Sequence, residues 1–313
     1  MSGSADSSYK CTLPPDVLAK AKRELREDPD TRIFEVKTLR SRLEKVPGLK
    51  PRTDFNFLLA FLRARKFDQE RTFQLLKNYY EIRRTEPEIF DDLKPSRIKH
   101  ILDDGLFEIL KERDSEGCKV VILRPGNWDP DRFPVAEIPR ADFLLFSKLV
   151  EDEITQVNGI HFIINLEGMT MKHVSHFGPA LAKKVMQILQ DVVPLRLKRI
   201  DYVNEPTFFD IVFSIVKQFM KEKLTKRIVL NGSEFDKLHQ SIKPIYLPTD
   251  LGGTQKPHKD QEVIKALLAS ESRFIEDMKF GFLNMSIKKD KNEVRNADAG
   301  IQGLGGSFKK LDI

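Results

Sequence analysis

The chain has 313 residues, 40% hydrophobic and 32% charged, which suits one large globular domain plus a smaller one and excludes a disordered or collagen-like polymer. Two cysteines, Cys11 and Cys118, exclude a disulfide scaffold and a cysteine-only zinc site, and fit a reducing cytoplasm. A formal charge of +6 favours an anionic partner, and without a zinc finger, helix-turn-helix or RNA-binding aromatic signature that partner is expected to be a membrane surface, not nucleic acid.

Residues 1–13 are small and polar, with no apolar core for a signal peptide, and are expected to be disordered. Residues 14–94 carry helical periodicity and predict a helical N-terminal domain. Leu18, Ala21 and Leu25 mark a first helix; Ile33, Val36, Leu39 and Leu43 mark a second. Thr53 is expected to cap a third, FNFLLAFLRARKF, and Asp68 a fourth carrying Phe73, Leu75, Leu76, Tyr79 and Ile82. After Pro95 the period changes. GLFEILKE and CKVVILRPG read as a hairpin about the turn cluster RDSEG. Thereafter strands alternate with helices: a helix over about 138–155, the strand GIHFIINLEG, a helix over about 173–190, and the strand RIDYVNEP. KRIVLNG is a further strand, followed by a short helix with Ser233 as its cap. This alternation predicts an α/β domain over 95–259 with a mainly parallel sheet. Residues 260–283 predict one more amphipathic helix, and the charged, glycine-rich tail from Lys288 is expected to be mobile, giving a C-terminal segment over 260–313. No apolar run reaches the roughly 20 residues of a membrane span.

Between the last two strands lies NEPTFFDIVFSIVKQFMKEKL. Asn204 and Pro206 are expected to start a helix there. At 100° per residue, its apolar side chains, Phe208, Phe209, Ile211, Val212, Phe213, Ile215, Val216, Phe219 and Met220, fill roughly 200°, twice the arc of a core-facing stripe. Lys221, Lys223, Lys226 and Arg227 follow. Two readings remain open: a helix sunk deep in a large core, or one that meets the protein interior on one side and lipid or a partner on the other.

Catalytic patterns fail together. GIQGLGGS neither follows a strand nor opens a βαβ unit; there is no P-loop lysine and no GxSxG elbow. His173 and His176 have a spacing that two metal ligands use, but no third ligand is suggested, so no metal site is expected. No catalytic residue and no cofactor is expected.

The ordered segments FLRARKFD, LLKNYYEIRR, TQVNGIHFIINLEGM, PLRLKRIDYVNEPTFFDIVFSIVKQFMKEKL and LPTDLGGT resemble the CRAL-TRIO family of lipid-transfer proteins, in the branch of the α-tocopherol transfer protein, the retinaldehyde-binding protein and the clavesins. The resemblance spans about Phe55 to Thr254. It implies a helical N-terminal domain packed on an α/β lipid-binding domain that encloses one hydrophobic ligand beneath a helical gate. The gate would be Pro206–Lys223, with Phe208, Phe209, Val212, Phe213, Val216 and Met220 on its apolar arc. The positions matching the family's ligand lining are Phe143, Phe146, Ser147, Ile160, Ile164, Val185, Ile188, Leu189 and Leu195, with Ser147 as the one polar handle. Those matching its phosphatidylinositol bisphosphate cleft are Arg65, Arg196, Lys198, Lys223 and Arg227. Ile164 stands where the retinaldehyde branch has a carboxylate, which argues against retinaldehyde. The implied function is a non-enzymatic cytoplasmic carrier of a tocopherol-like or other isoprenoid or retinoid-like lipid, transiently bound to phosphoinositide-bearing, endosomal membranes. A phosphoinositide-dependent trafficking adaptor with a structural or sensory lipid remains the alternative.

Overall fold

The computed structural model describes residues 9–257 and 261–283, so the expectations for residues 1–8 and for the tail from Lys288 lie outside the described residues. Residues 9–13 are not disordered. Thr12 donates its backbone N–H to Glu153 at 2.9 Å, the Tyr9 hydroxyl donates to the same carboxylate, and Leu13 is buried. These hydrogen bonds hold Glu153 below the usual carboxylate range against the upward push of its burial.

Helices α1 (Pro15–Lys20, continued by a π-turn over Ala21–Leu25) and α2 (Arg32–Glu44) precede a two-residue strand β1 (Leu49–Lys50) and helices α3 (Phe55–Ala64), α4 (Gln69–Thr85), α5 (Pro87–Phe90) and α6 (Lys99–Asp103). Asp68 caps α4 as expected, accepting from Arg71 N at 3.0 Å. The cap of α3 is Asp54, not Thr53: its carboxylate accepts from Phe57 N at 3.1 Å, while the Thr53 carbonyl accepts from Arg40. A carboxylate is the stronger partner for the positive end of a helix. Arg63, fully buried on α3, donates to both oxygens of Glu27 at 2.8 Å and to Gln156 at 2.7 Å, which ties the helical segment to the α/β segment.

The α/β segment begins with the hairpin β2 (Phe107–Arg113) and β3 (Lys119–Leu123), antiparallel as expected. Then come α7 (Glu137–Leu149), α8 (Glu153–Asn158), β4 (Ile160–Asn165), α9 (Met171–His176), α10 (Pro179–Asp191), β5 (Leu197–Val203), α11 (Phe209–Lys217), α12 (Glu222–Thr225), β6 (Ile228–Leu230) and α13 (Asp236–His239). The strands lie in sequence order in one five-stranded sheet, parallel from β3 to β6. Register aligns Val121, Phe162 and Ile200 on the face that carries the main core. Val120, Ile122, Ile163 and Val203 on the other face pack against Leu238, Ile242, Leu247 and Leu251. On that second face His161 is fully buried, with Nδ1 3.0 Å from Asp114 and Nε2 2.6 Å from Asp201. Burial opposes its charge, but the hydrogen bonds and charges of the two carboxylates raise its pKa.

Three expected helices are divided. The first splits where Asp152 caps α8 through Ile154 N and Thr155 N. The second splits at Gly178–Pro179, where the proline opens α10. The third splits at Ser270 into α14 (Glu262–Ala269) and α15 (Glu271–Asp277), after which β7 (Gly281–Phe282) pairs antiparallel with β1. Ser233 caps nothing: α13 begins at Asp236 with Phe235 at its N-cap. Asn204 is no cap either. It adopts φ +56°, its amide donates to Asn165 Oδ1 at 2.9 Å, and α11 starts only at Phe209.

Candidate functional site

Five chain segments meet at one cleft of about 560 Å³. Arg65 and Lys66 come from the end of α3, Arg71 from the first turn of α4, Arg196 and Lys198 from the entry to β5, Lys221 and Lys223 from α12 and its cap, and Arg227 from the entry to β6. All five residues expected to hold phosphate therefore line one concavity, together with Lys66, Arg71 and Lys221, which the resemblance does not assign to it. The lining holds eight cations and two carboxylates, Glu24 and Asp191. The excess of six equals the formal charge of the whole chain, so the rest of the molecule is neutral in sum. Like charges held this close repel. The Lys223 ammonium is pushed below its usual range by burial, and then by Arg227, Lys66, Arg196 and Arg71. Such a concentration of charge is a site for a polyanion.

Some of these cations are anchored. Arg65 Nη2 donates to the Gln190 carbonyl at 2.7 Å, Arg196 also donates to the Val157 carbonyl, and Arg227 donates to the Leu197 carbonyl. Arg196 and Lys198 share Glu24, and Lys221 pairs with Asp191. Lys66, Arg71 and Lys223 have no hydrogen-bonding or ion-pairing side chain among the described residues, so their charge is open to a ligand.

The gate segment adjoins the cleft through Gln190. Its amide nitrogen donates to the Phe219 carbonyl at 2.8 Å, and its amide oxygen accepts from Lys221 N at 2.8 Å. On α11, Phe209 and Val216 are buried, Val212, Phe213 and Ile215 are half-buried, and Ile211 remains 40% exposed. Phe209 and Phe213 stack at 5.2 Å and both contact the Tyr202 ring of β5. Phe208, Phe209, Val212, Phe213 and Val216 line a space of about 30 Å³ above Tyr202 and Leu166. Met220 is half-buried and packs on the main core.

The nine residues expected around a ligand are spread out. Phe143, Phe146, Ile160, Val185 and Ile188 are buried in the main core, Phe146 edge-on to Phe162 at 5.6 Å, with Ile164 half-buried beside them. Leu189 and Leu195 line the basic cleft. Ser147 lines a separate recess of about 340 Å³ with Phe57, Phe61 and Tyr79. Asp142, on α7 between these core residues, went unnoticed in the sequence. It is almost completely buried, no hydrogen-bond or ion-pair partner reaches its carboxyl group among the described residues, and burial pushes its pKa up to about 7. His173 is held by Thr170 and by the Trp128 carbonyl. Among the described residues no group of acidic, histidine or cysteine side chains could hold a metal ion, and no helix is long and apolar enough to cross a membrane.

A helical segment leads into a sequentially ordered sheet, and an apolar helix lies beside a basic cleft, an arrangement that fits a lipid-binding class of protein. The chain matches the CRAL/TRIO domain family over residues 103–253 and the Pinta-like UBA domain family over residues 28–99. It is 43% identical over 270 residues to the alpha-tocopherol transfer protein-like protein of Homo sapiens, covering 86% of this chain and 79% of that one. It is 34% identical over 285 residues to Clavesin-2 of Homo sapiens, covering 90% and 87%. The crystal structure of Sfh5 shares the fold at a TM-score of 0.51 and 17% identity, covering 85% of this chain and 100% of that one. The protein belongs to the CRAL-TRIO family of lipid-binding and lipid-transfer proteins.

Proposed function

We propose that the protein is a cytoplasmic carrier that shields one hydrophobic lipid beneath α11 and exchanges it at phosphoinositide-bearing, endosomal membranes. The observation that carries this reading is the cleft: all of the chain's net charge converges on one concavity, and Gln190 and Lys221 connect that concavity to the end of the gate. A bisphosphate headgroup would enter by contacts with Arg65, Arg196, Lys198, Lys223 and Arg227, each worth about 1 kcal/mol at an anionic surface. By competing for Arg65 and Lys221, it would loosen the hold on Phe219 and free the gate. Once released, the apolar arc would meet acyl chains on one side and cargo on the other. The name of the 43%-identical relative puts tocopherol first among the cargoes to test, with other isoprenoids after it.

The small volume beneath α11 favours a second reading, a phosphoinositide-dependent trafficking adaptor whose lipid is structural or sensory. A transfer assay separates the two. A carrier moves fluorescent tocopherol between vesicles faster when the acceptor contains phosphatidylinositol bisphosphate. An adaptor binds the same vesicles without moving lipid.

A further inference from the structure

Six of the cleft's eight cations fall into two groups according to what they touch, while Arg65 and Lys221 pair with Asp191. Arg196 Nη2 and Lys198 Nζ both hold the same oxygen of Glu24, at 3.1 and 3.2 Å. Glu24 comes from the π-turn Ala21–Leu25, a segment more than 170 positions away in sequence from its two partners. The complete burial of Ala21 and Leu25 fixes that turn in place, so the carboxylate is delivered to the cleft by packing and not by chance contact. Against the upward push of burial, hydrogen bonds from Arg196 and Lys198 hold Glu24 below the usual carboxylate range, so it is ionised at neutral pH. Its oxygen lies between the two cations, within ion-pairing distance of both. Lys66, Arg71 and Lys223 form the other group, with no side-chain partner among the described residues, and Arg227 beside them donates to the Leu197 carbonyl.

We propose that Glu24 is an internal competitor for the headgroup. A single phosphomonoester binds the open group at Lys66, Arg71, Lys223 and Arg227, whereas a second phosphate engages Arg196 and Lys198 only by displacing Glu24. This rests on the reading of the cleft as a phosphoinositide site, and it gives the N-terminal turn a role in setting affinity for bisphosphates. Neutralising residue 24 removes the displacement step for a bisphosphate and leaves the contacts of a monophosphate as they are. Long-range repulsion from Glu24 falls equally for both ligands and is screened within about 8 Å at physiological salt.

The test uses the full chain and Glu24→Gln, which keeps the shape and loses the charge, with Glu44→Gln as a control of equal charge change at an exposed residue outside the cleft. Binding is measured to phosphatidylcholine vesicles containing either phosphatidylinositol bisphosphate or a monophosphate, and to soluble inositol bisphosphate. Glu24→Gln should raise bisphosphate-vesicle affinity about fivefold, the scale of two partly exposed ion pairs, with monophosphate affinity and both Glu44→Gln values within about twofold of wild type. Glu24→Asp, which withdraws the carboxylate by one methylene, should give an intermediate rise. A rise with vesicles identifies the lipid headgroup as the ligand; a rise with soluble inositol bisphosphate alone supports the same competition for a free ligand. An equal rise for both lipids, or no rise in a variant that melts as wild type, overturns the proposal while the cleft reading stands. Wild-type protein that binds neither vesicle overturns both.

Discussion

Arg71 and Lys223 offer a direct perturbation of the cleft, because among the described residues neither side chain has a hydrogen-bonding or ion-pairing partner. Changing both to Ala removes two of the eight cations of the lining and, among the described residues, breaks no side-chain hydrogen bond or ion pair. At about 1 kcal/mol for each basic residue at an anionic surface, the double variant should lose about 2 kcal/mol, or about 30-fold, in affinity for bisphosphate vesicles at physiological salt. Stability should move the other way. Arg71 is among the cations that push the Lys223 ammonium below its usual range, after burial, Arg227, Lys66 and Arg196, so removing both relieves repulsion. The melting temperature should hold or rise slightly. Surface plasmon resonance on captured vesicles at low and physiological salt, with a thermal melt beside it, reads both quantities. The affinity gap between wild type and variant should shrink as salt rises, since exposed charges are screened. Wild-type affinity in a folded double variant would refute the assignment of the open cations to the headgroup.

Asp142 makes stability depend on pH. Its folded pKa, about 7, lies above its ordinary value of 3.8, so the folded state binds the extra proton and stability falls as pH rises between those values. The full effect is about 4 kcal/mol, and Asp142→Asn should therefore raise the melting temperature at pH 8 and change it little at pH 4, by scanning calorimetry; equal shifts at both pH values would contradict this. Phe209→Asp or Val212→Asp puts a carboxylate on the apolar arc of α11, opposing both closure and membrane entry, and should slow vesicle-to-vesicle transfer at least tenfold. Transfer at the wild-type rate by a folded variant would remove α11 from the mechanism.

The sheet was legible because strand and helix periods differ: the hairpin, the parallel strands and the switch near Pro95 all follow from local pattern. Helix breaks were harder. Asp152 and Gly178–Pro179 carry the right signals, but each interrupts a run whose apolar spacing continues across it. Asn204 has the side chain of a cap and a helix nearby, yet its amide is taken by Asn165 from a neighbouring strand, a competition no local window contains. The cleft shows the same limit. Resemblance placed five of its cations, but Lys66, Arg71 and Lys221 read as ordinary solvated charges until three-dimensional packing sets them against the others. Glu24 lies in a stretch whose periodicity speaks only for helix. Asp142 was passed over because an apolar stripe draws the eye to Phe143 and Phe146, whereas the buried carboxyl group is the chemically unusual feature of that helix.

The proposed carrier encloses one hydrophobic lipid beneath α11 and gives it up at bisphosphate membranes. Native mass spectrometry of the purified protein after incubation with vesicles containing tocopherol and related isoprenoids is the decisive experiment. A carrier should show a single bound lipid per chain, retained with phosphatidylcholine vesicles and lost on exposure to vesicles containing phosphatidylinositol bisphosphate. A folded protein that takes up no lipid from any vesicle, or that keeps its lipid equally well with and without the bisphosphate, would contradict the proposal.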